Sequence, residues 1–476
     1  MEKQTPKFGW KDKIGYAMGD FGCNMSFALI SSYMADFYTQ YIGIPAAAWA
    51  VIIILTKVWD GINDPIMGGI MDNVKIGKGS KFKPWIKIGS IGLIVSGALV
   101  FLPIPQADTW VKIAVCIVTY LLWDICYTLL NVPYGALSSA ITSDAVERTQ
   151  LSTWRSIGAG MGGILCMLLP MIIYDSNDNI IGNRLIWVGI AMGAIAFGAY
   201  TLCVKLTTER VVVAQEKREK VNYFKTLKGF VKNRPLLGLC LASFAQIVFL
   251  MSSSQTTKWL FQTHFGEAGV MVSISSFITY LPLVILIPLA SKIVKRFGTR
   301  LSVGAPLVLS VIGAIIALAV PIPKSTAGSA IYIASLALIQ LGGGLFNLLV
   351  WAMVNDCIDY QEVKTGSREE GSVYAMYSLF RKISQGVALS LPLICMEAVG
   401  YNPQANPIGN QAPGVSDKMV KVAAGLMLAG AVIMLIAFFL VYNLSKKDVE
   451  DIAVALGKNK EEIDTASIIS ATQQED

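Results

Sequence analysis

Charge is scarce in this chain. Of 476 residues only 15% are Asp, Glu, Lys or Arg, well short of the quarter or so typical of soluble domains. That scarcity excludes the two or three water-soluble domains that the length alone would predict. Histidine is almost missing: His264 stands alone, in what reads as an outer loop, and no chemistry is expected of it. No Walker phosphate loop, zinc-ligand spacing or nucleophile motif occurs, so enzymatic activity has nothing to rest on and no cofactor is expected. The eight cysteines, from Cys23 to Cys395, show no C-x-x-C spacing and fall almost wholly in apolar stretches; they read as small reduced core residues. The start, MEKQTPKFGWKDK, leads into an apolar stretch without a small-residue cleavage site, so the first hydrophobic segment is expected to be retained. The Lys and Arg residues behind the formal charge of +7 sit in short loops and form no extended basic face, which argues against a nucleic-acid partner.

What is abundant is apolar: 54% of the chain is hydrophobic. About twelve runs are long enough to cross roughly 30 Å of hydrocarbon as helices. They lie near 14–40, 46–70, 84–104, 111–139, 151–174 and 184–206, then 235–262, 270–291, 301–321, 328–355, 372–399 and 419–443. Unpaired backbone groups are intolerable in lipid, and continuous apolar runs exclude the alternation of barrel strands. The expected class is an all-α polytopic membrane protein, in contact with a lipid bilayer.

The longest charged interruption, TTERVVVAQEKREKVNYFKTLKGFVKNRP, divides the spans into equal halves. The expected organisation is a six-helix bundle over 1–206, a linker over 207–234, a second six-helix bundle over 235–443 and a tail over 444–476. Basic residues recur in alternate loops: Lys75, Lys78, Lys81 and Lys83; Arg148; Arg210 to Arg234; Lys292, Lys295, Arg296 and Arg300; Lys364 and Arg368; Lys446 and Lys447. The loops near 41–45, 105–110 and 262–269 are nearly free of them, which puts both termini in the cytoplasm. The basic, glycine-containing loops MDNVKIGKGSKFKPW and SKIVKRFGTR occupy equivalent places in the two halves. This 6+6 layout is the pattern of major facilitator transporters, which bind substrate and coupling ion near the midplane between their halves.

Some polar residues lie where lipid would not tolerate them idly. Span two contains TKVWDGINDPIMGG, which sets Asp60 and Asp64 one turn apart on one face, with Thr56 a turn earlier. Each carboxylate costs about 2.5–3.5 kcal/mol at the centre of an inserted helix, so the pair calls for a cation or a proton. The alternative is a helix-end pair solvated at the surface or fixed by an arginine from a neighbouring helix. Span four carries Tyr120, Asp124, Tyr127, Thr128 and Asn131 at helical spacing, a stripe expected to face an aqueous cavity or else to form an interhelical seam. Span one offers Tyr16, Asp20 and Asn24, span ten Gln340, Asn347 and Trp351, and span eleven Tyr374, Ser378, Lys382 and Gln385. Lys382 needs an acceptor or anion well inside its span, whereas Arg381 beside it can snorkel. Amides and aromatic rings are what sugar hydroxyls and the apolar ring face require.

Three separated strings, WDGINDPIMGGIMDN with GSKFKPW, YTLLNVPYGAL, and DYQEVKTGSREEGSVYAMYSLFRKISQG, resemble the glycoside-pentoside-hexuronide:cation symporter family, whose best-known members are the melibiose permeases. The resemblance runs from about residue 8 to 443. It implies that Asp60, Asp64 and Thr128 form the cation site and would ligate sodium if sodium is the coupling ion. It also implies that Lys382 lies near that site and that Tyr127 and Arg155 carry over. The family aspartates that hold galactosyl hydroxyls align with Asn24 and Asn131, and two family tryptophans align with Gly135 and Asn347. Replacing acceptor-only carboxylates by amides changes which substrate groups can be paired.

The expected activity is therefore symport of Na+ or H+ with a sugar or glycoside by alternating access, the substrate being a pentoside, glucoside or hexuronide rather than melibiose. The expected substrate residues are Asp20, Asn24, Asp124, Tyr127, Asn131, Arg155, Asn347, Trp351 and Lys382. The protein is expected to act as a monomer in the inner cell membrane. Two alternatives are a lysolipid:cation symporter, which would need an apolar cavity open to lipid, and a sugar sensor that binds without transporting.

Overall fold

The computed structural model describes residues 6–74, 76, 80–142, 145–211, 233–366 and 370–456. Linker residues 212–232, tail residues 457–476, and Lys75, Lys78 and Arg368 lie outside the described residues, as do the side chains of Pro65, Arg148, Trp351 and Tyr374. Among the described residues the chain is helical throughout, with one isolated bridge between Tyr174 and Ile180. The helices are α1 (Trp10–Asp36), α2 (Ala46–Asn73), α3 (Lys83–Val100), α4 (Thr109–Ile141), α5 (Ala145–Met167), α6 (Gly182–Leu206), α7 (Arg234–Leu260), α8 (Ala268–Gly304), α9 (Leu307–Ala319), α10 (Thr326–Thr365), α11 (Glu370–Ala398), α12 (Val415–Ile436) and α13 (Lys446–Ala455). Among the described residues, ten helical stretches are long and apolar enough to cross a membrane. The other two of the twelve expected spans fall on α1, which carries Tyr16, Asp20, Asn24 and Ser26, and on the first part of α8.

The helices gather into two compact units, one from 1–217 with 402–410 and one from 218–401 with 411–475. In the first, α1 packs on α5 and α6, α3 on α4 and α6, and α2 on α4. In the second, α7 packs on α11 and α12, α9 on α10 and α12, and α8 on α10. Substituting each helix by the one six places later converts the first set of pairings into the second. The two halves are thus repeats in their internal packing.

Close approach of α1 to α5 depends on glycine. A Cβ on Gly158 would lie 2.0 Å from the carbonyl oxygen of Ala17, so only hydrogen fits there. In α8, Gly298 has φ +73 and breaks the helix, placing the basic end of SKIVKRFGTR on a turn rather than on a continued helix.

Two polar anchors close the helix ends. In the first unit, Glu209 accepts from the Ser80 hydroxyl at 2.6 Å and the Lys81 backbone N–H at 2.8 Å, just before the start of α3. Arg210 pairs with buried Asp12 at 2.8 Å and donates to the carbonyl oxygens of Pro6 and Ile141. In the second unit α13 starts at a capping box in which Ser445 accepts from the Asp448 N–H at 3.3 Å and Asp448 accepts from the Ser445 N–H at 2.8 Å. Lys446 Nζ donates to the carbonyl of Lys295 at 2.7 Å. Residues 446–455, the start of the expected tail, are therefore a docked helix; a short polar helix with a reciprocal cap holds because its few apolar residues, such as buried Ala453, meet α8 and α10. Residues 402–410, from the loop joining α11 to α12, belong to the first unit: Ile408 N–H donates to Asn179 at 2.7 Å, and Gln404 to the carbonyl of Gly43 at 3.3 Å. His264 corrects another expectation. It is buried beyond the end of α7, with Nε2 3.0 Å from the Ile322 carbonyl oxygen and Nδ1 3.6 Å from Asp417.

Candidate substrate and cation site

The outer face of α2 is apolar and exposed, from Val51, Ile54, Leu55 and Val58 to Ile62 and Ile66. Its opposite face carries Thr56, Lys57, Asp60, Asn63 and Asp64 against α4. The helical period therefore turns the polar stripe inward, because the apolar one takes the surface. Thr128 of α4 donates to Asp64 at 3.2 Å, so two of the three residues expected at the cation site meet directly. Asp60 has a different neighbour. Lys57 Nζ stands 3.1 Å from its Oδ2, with side-chain exposures of 5% and 15%. Sequence reasoning missed this lysine, although the rule applied to Lys382, that an ammonium inside a span needs an acceptor, applies equally to Lys57.

Asp124, expected among the sugar residues, is instead buried in the α2–α4 seam, with Asn63 Nδ2 3.5 Å from its Oδ2. Tyr120 is likewise buried beside Trp123, with the Lys57 ammonium 5.8 Å from its ring centroid. This part of the α4 stripe meets polar side chains of α2. Tyr127 is half-buried and stacks on Trp123 at 5.1 Å, and Asn131 is half-buried one turn further on.

A second cluster joins α1 to α5. Arg155 Nε donates to Asp20 Oδ1 at 3.3 Å, and Asn24 Nδ2 donates to Asp20 Oδ2 at 3.1 Å. The guanidinium lies over the Tyr134 ring at 5.4 Å, and the Arg155 side chain keeps 42% of its surface exposed. Gly135 leaves open space: a Cβ there would meet nothing within 4 Å. Phe27, two turns along α1 from Asp20, reaches toward α2 and α4. Its ring is 5.9 Å from the Lys57 ammonium and 6.1 Å from the Tyr127 ring.

The second unit holds the remaining expected residues. Asn347 is exposed on α10, Lys382 is half-buried on α11, and Trp351 lies outside the described side chains. No cluster of three or more His, Cys, Asp or Glu with metal-holding geometry occurs among the described residues.

A repeat of two helical bundles, apolar outward and carrying ion pairs and amides at depth, has the make-up of a membrane transporter. The chain belongs to the MFS/sugar transport protein family, whose model matches residues 15–448. It is similar to the uncharacterized symporter YjmB of Bacillus subtilis, 30% identical over 447 residues and 92% of each chain. It is also similar to the glucuronide carrier protein homolog of Escherichia coli, 26% identical over 95% of this chain and 97% of that one, and to that organism's putative sulfoquinovose importer, 29% identical over 93% and 92%. Among solved structures, a bacterial homologue of the iron transporter ferroportin in its inward-facing state matches with a TM-score of 0.62 at 12% identity, over 90% of this chain and 98% of that one. A bacterial homolog of the lysosomal transporter Spinster matches with a TM-score of 0.60 at 14% identity, over 93% and 99%. These structures share the fold. The protein is a multi-pass secondary transporter of the major facilitator type.

Proposed function

We propose that the protein couples a monovalent cation, Na+ or H+, to the movement of a glycoside, without chemical change to either, by alternating access. The observation that carries this reading is the presence in one unit of two polar clusters of different chemistry. Asp64 with Thr128 offers the oxygen ligands that a small hard cation takes or the carboxylate that a proton takes. Asp20, Asn24 and Arg155 offer the mixed donors and acceptors that hydroxyls take. Asp60 completes the cation site when its lysine partner yields it, and Tyr127 supplies a ring face to the sugar beside Asn131. Asn347, Trp351 and Lys382 are assigned to the same substrate from the second bundle.

The half-exposed guanidinium of Arg155 favours a hexuronide over a pentoside or neutral glucoside, because a carboxylate can form paired hydrogen bonds with it. The names of the relatives that carry a glucuronide or sulfoquinovose support an acidic sugar. The open space at Gly135 supports a substrate shaped differently from melibiose. The density of amides and phenols in the first unit supports a sugar over a lysolipid. The distribution of basic loops supports a cytoplasmic membrane location with both termini inside, and the transporter works as a monomer in this reading. Its domains are the bundles 1–206 and 235–443, linked by 207–234 and followed by the tail 444–476.

The reading is tested by counterflow into vesicles of a panel of hexuronides, pentosides, glucosides and melibiose, with and without sodium and at two pH values. Faster exchange of a hexuronide with one cation present is the expected result. Strong melibiose transport, or binding without any flux, would overturn the reading.

A further inference from the structure

Away from both polar clusters, α3 and α6 of the first unit enclose a groove of about 310 Å³. The two helices run close together at one level, where a Cβ on Gly193 would lie 3.3 Å from Ile94 Cα and one on Gly189 would lie 3.1 Å from the Gly97 carbonyl oxygen. At the start of α3 and the end of α6 they are tied again: the Lys83 ammonium donates to the Thr207 carbonyl oxygen, and Glu209 accepts from the backbone N–H groups of Lys81 and Phe82. Between these two closures the helices part. Exposed Ile91 and Phe197 and buried Val204 make the groove apolar, while Lys87 and Lys205 stand on opposite helices at the end nearer the loops. Both lysines are exposed, and among the described residues neither ammonium has a hydrogen bond or ion pair. A lysine that only snorkels from the end of a span needs neither a groove beneath it nor a second lysine across from it.

We propose that this groove seats a membrane phospholipid with an anionic headgroup, its phosphate between Lys87 and Lys205 and one acyl chain along Ile91, Phe197 and Val204. Charge complementarity selects the occupant. The apolar part accepts the chain of any lipid, but two ammonium groups at the headgroup end favour a net negative charge, each by about fivefold. A zwitterionic headgroup brings its own ammonium and gains less. A soluble phosphate meets the lysines but leaves the apolar groove unfilled. None of the residues assigned to cation or sugar lines the groove, so the lipid is a bound stabiliser and not a transported solute. It fills the gap where α3 and α6 do not pack on each other, and a ligand held by the folded bundle alone stabilises that bundle.

The test follows the melting temperature of the purified full-length protein in detergent as it is titrated with phosphatidylglycerol, with phosphatidylcholine of the same acyl chains, or with inorganic phosphate. Wild type is expected to half-saturate at about thirtyfold less phosphatidylglycerol than phosphatidylcholine, and not to respond to phosphate. Lys87→Gln and Lys205→Gln should each cut that preference to about fivefold, and the double variant should abolish it. Replacing Lys418 and Lys421, two exposed lysines of α12, by Gln removes the same charge elsewhere and should leave the preference as it was. Thr201→Trp fills the groove from α6 and should weaken binding of both lipids about tenfold or more, since about two methylenes denied burial already cost that much. Equal response to the two lipids in wild type overturns the proposal, as does a preference that survives the double variant or falls as far in the α12 pair. A phosphate response matching that of phosphatidylglycerol reveals an anion site without a lipid, and unaltered lipid binding in Thr201→Trp puts the lipid outside the groove; either result overturns it too. If the double variant does not fold, the single variants and Thr201→Trp decide by the same criteria.

Discussion

Asp64 is where charge, geometry and expected role meet most closely. Thr128 donates a hydrogen bond to it, and Asp64→Asn keeps its shape and loses its charge. Uphill accumulation driven by a sodium or proton gradient should fall at least about a hundredfold in that variant, while substrate exchange without a gradient persists; tracer uptake in vesicles reads both. Arg155→Ala should raise the substrate concentration for half-saturation about tenfold or more by removing a charge-assisted contact, with the sodium value little changed. Sequence reasoning reached Asp60 and Asp64 because lipid penalises charge wherever it is placed, and that penalty is legible without a fold; Thr128 joined them only through the family resemblance. It named Asp20, Asn24 and Arg155 as separate residues but not as one cluster, since the period of one helix does not tell which face of another will meet it. Lys57 was missed for a related reason. Its partner lies on its own helix, three residues away, and the acidic pair drew the compensation to an outside ion when part of it was already built in.

Helix ends and crossings carry the predictions at the next scale. Gly158→Val pushes a side chain into the Ala17 carbonyl and should destabilise the α1–α5 pair by about 1–3 kcal/mol, visible as a lower melting temperature in detergent. Arg210→Ala leaves buried Asp12 without its guanidinium and should cost about 3 kcal/mol by the same measurement. At α13 the Ser445 hydroxyl and backbone N–H hold the Asp448 carboxyl below its usual range. The cap therefore contributes stability above the unfolded value near 3.8 and loses it as pH falls through the lower folded value. The amide-exchange protection factors of α13, taken relative to the unstructured chain at the same pH, should fall on acidification in the wild type and be low at all pH values in Asp448→Ala. The apolar spans were readable in sequence within a few residues, because their length is set by the hydrocarbon they must cross. The anchors were not, because Glu209, Arg210 and Lys446 act through backbone groups brought near only by folding.

Across the whole chain, the repetition of one set of helix pairings in both halves gives physical content to the loop echoes seen in sequence. Two ion pairs at depth, Lys57 with Asp60 and Arg155 with Asp20, belong to the first unit, and the second unit brings Gln340, Asn347 and Lys382. Mechanistic weight thus falls on a single question, whether cation and glycoside bind reciprocally. The direct measurement is calorimetric titration of the purified transporter with the best hexuronide from the counterflow panel, with and without sodium and across pH. Reciprocal coupling predicts that one cation tightens sugar binding by about 5–150-fold, and that Asp64→Asn abolishes the gain while still binding sugar. Equal sugar affinity under all cation conditions, or an undiminished gain in Asp64→Asn, would contradict it.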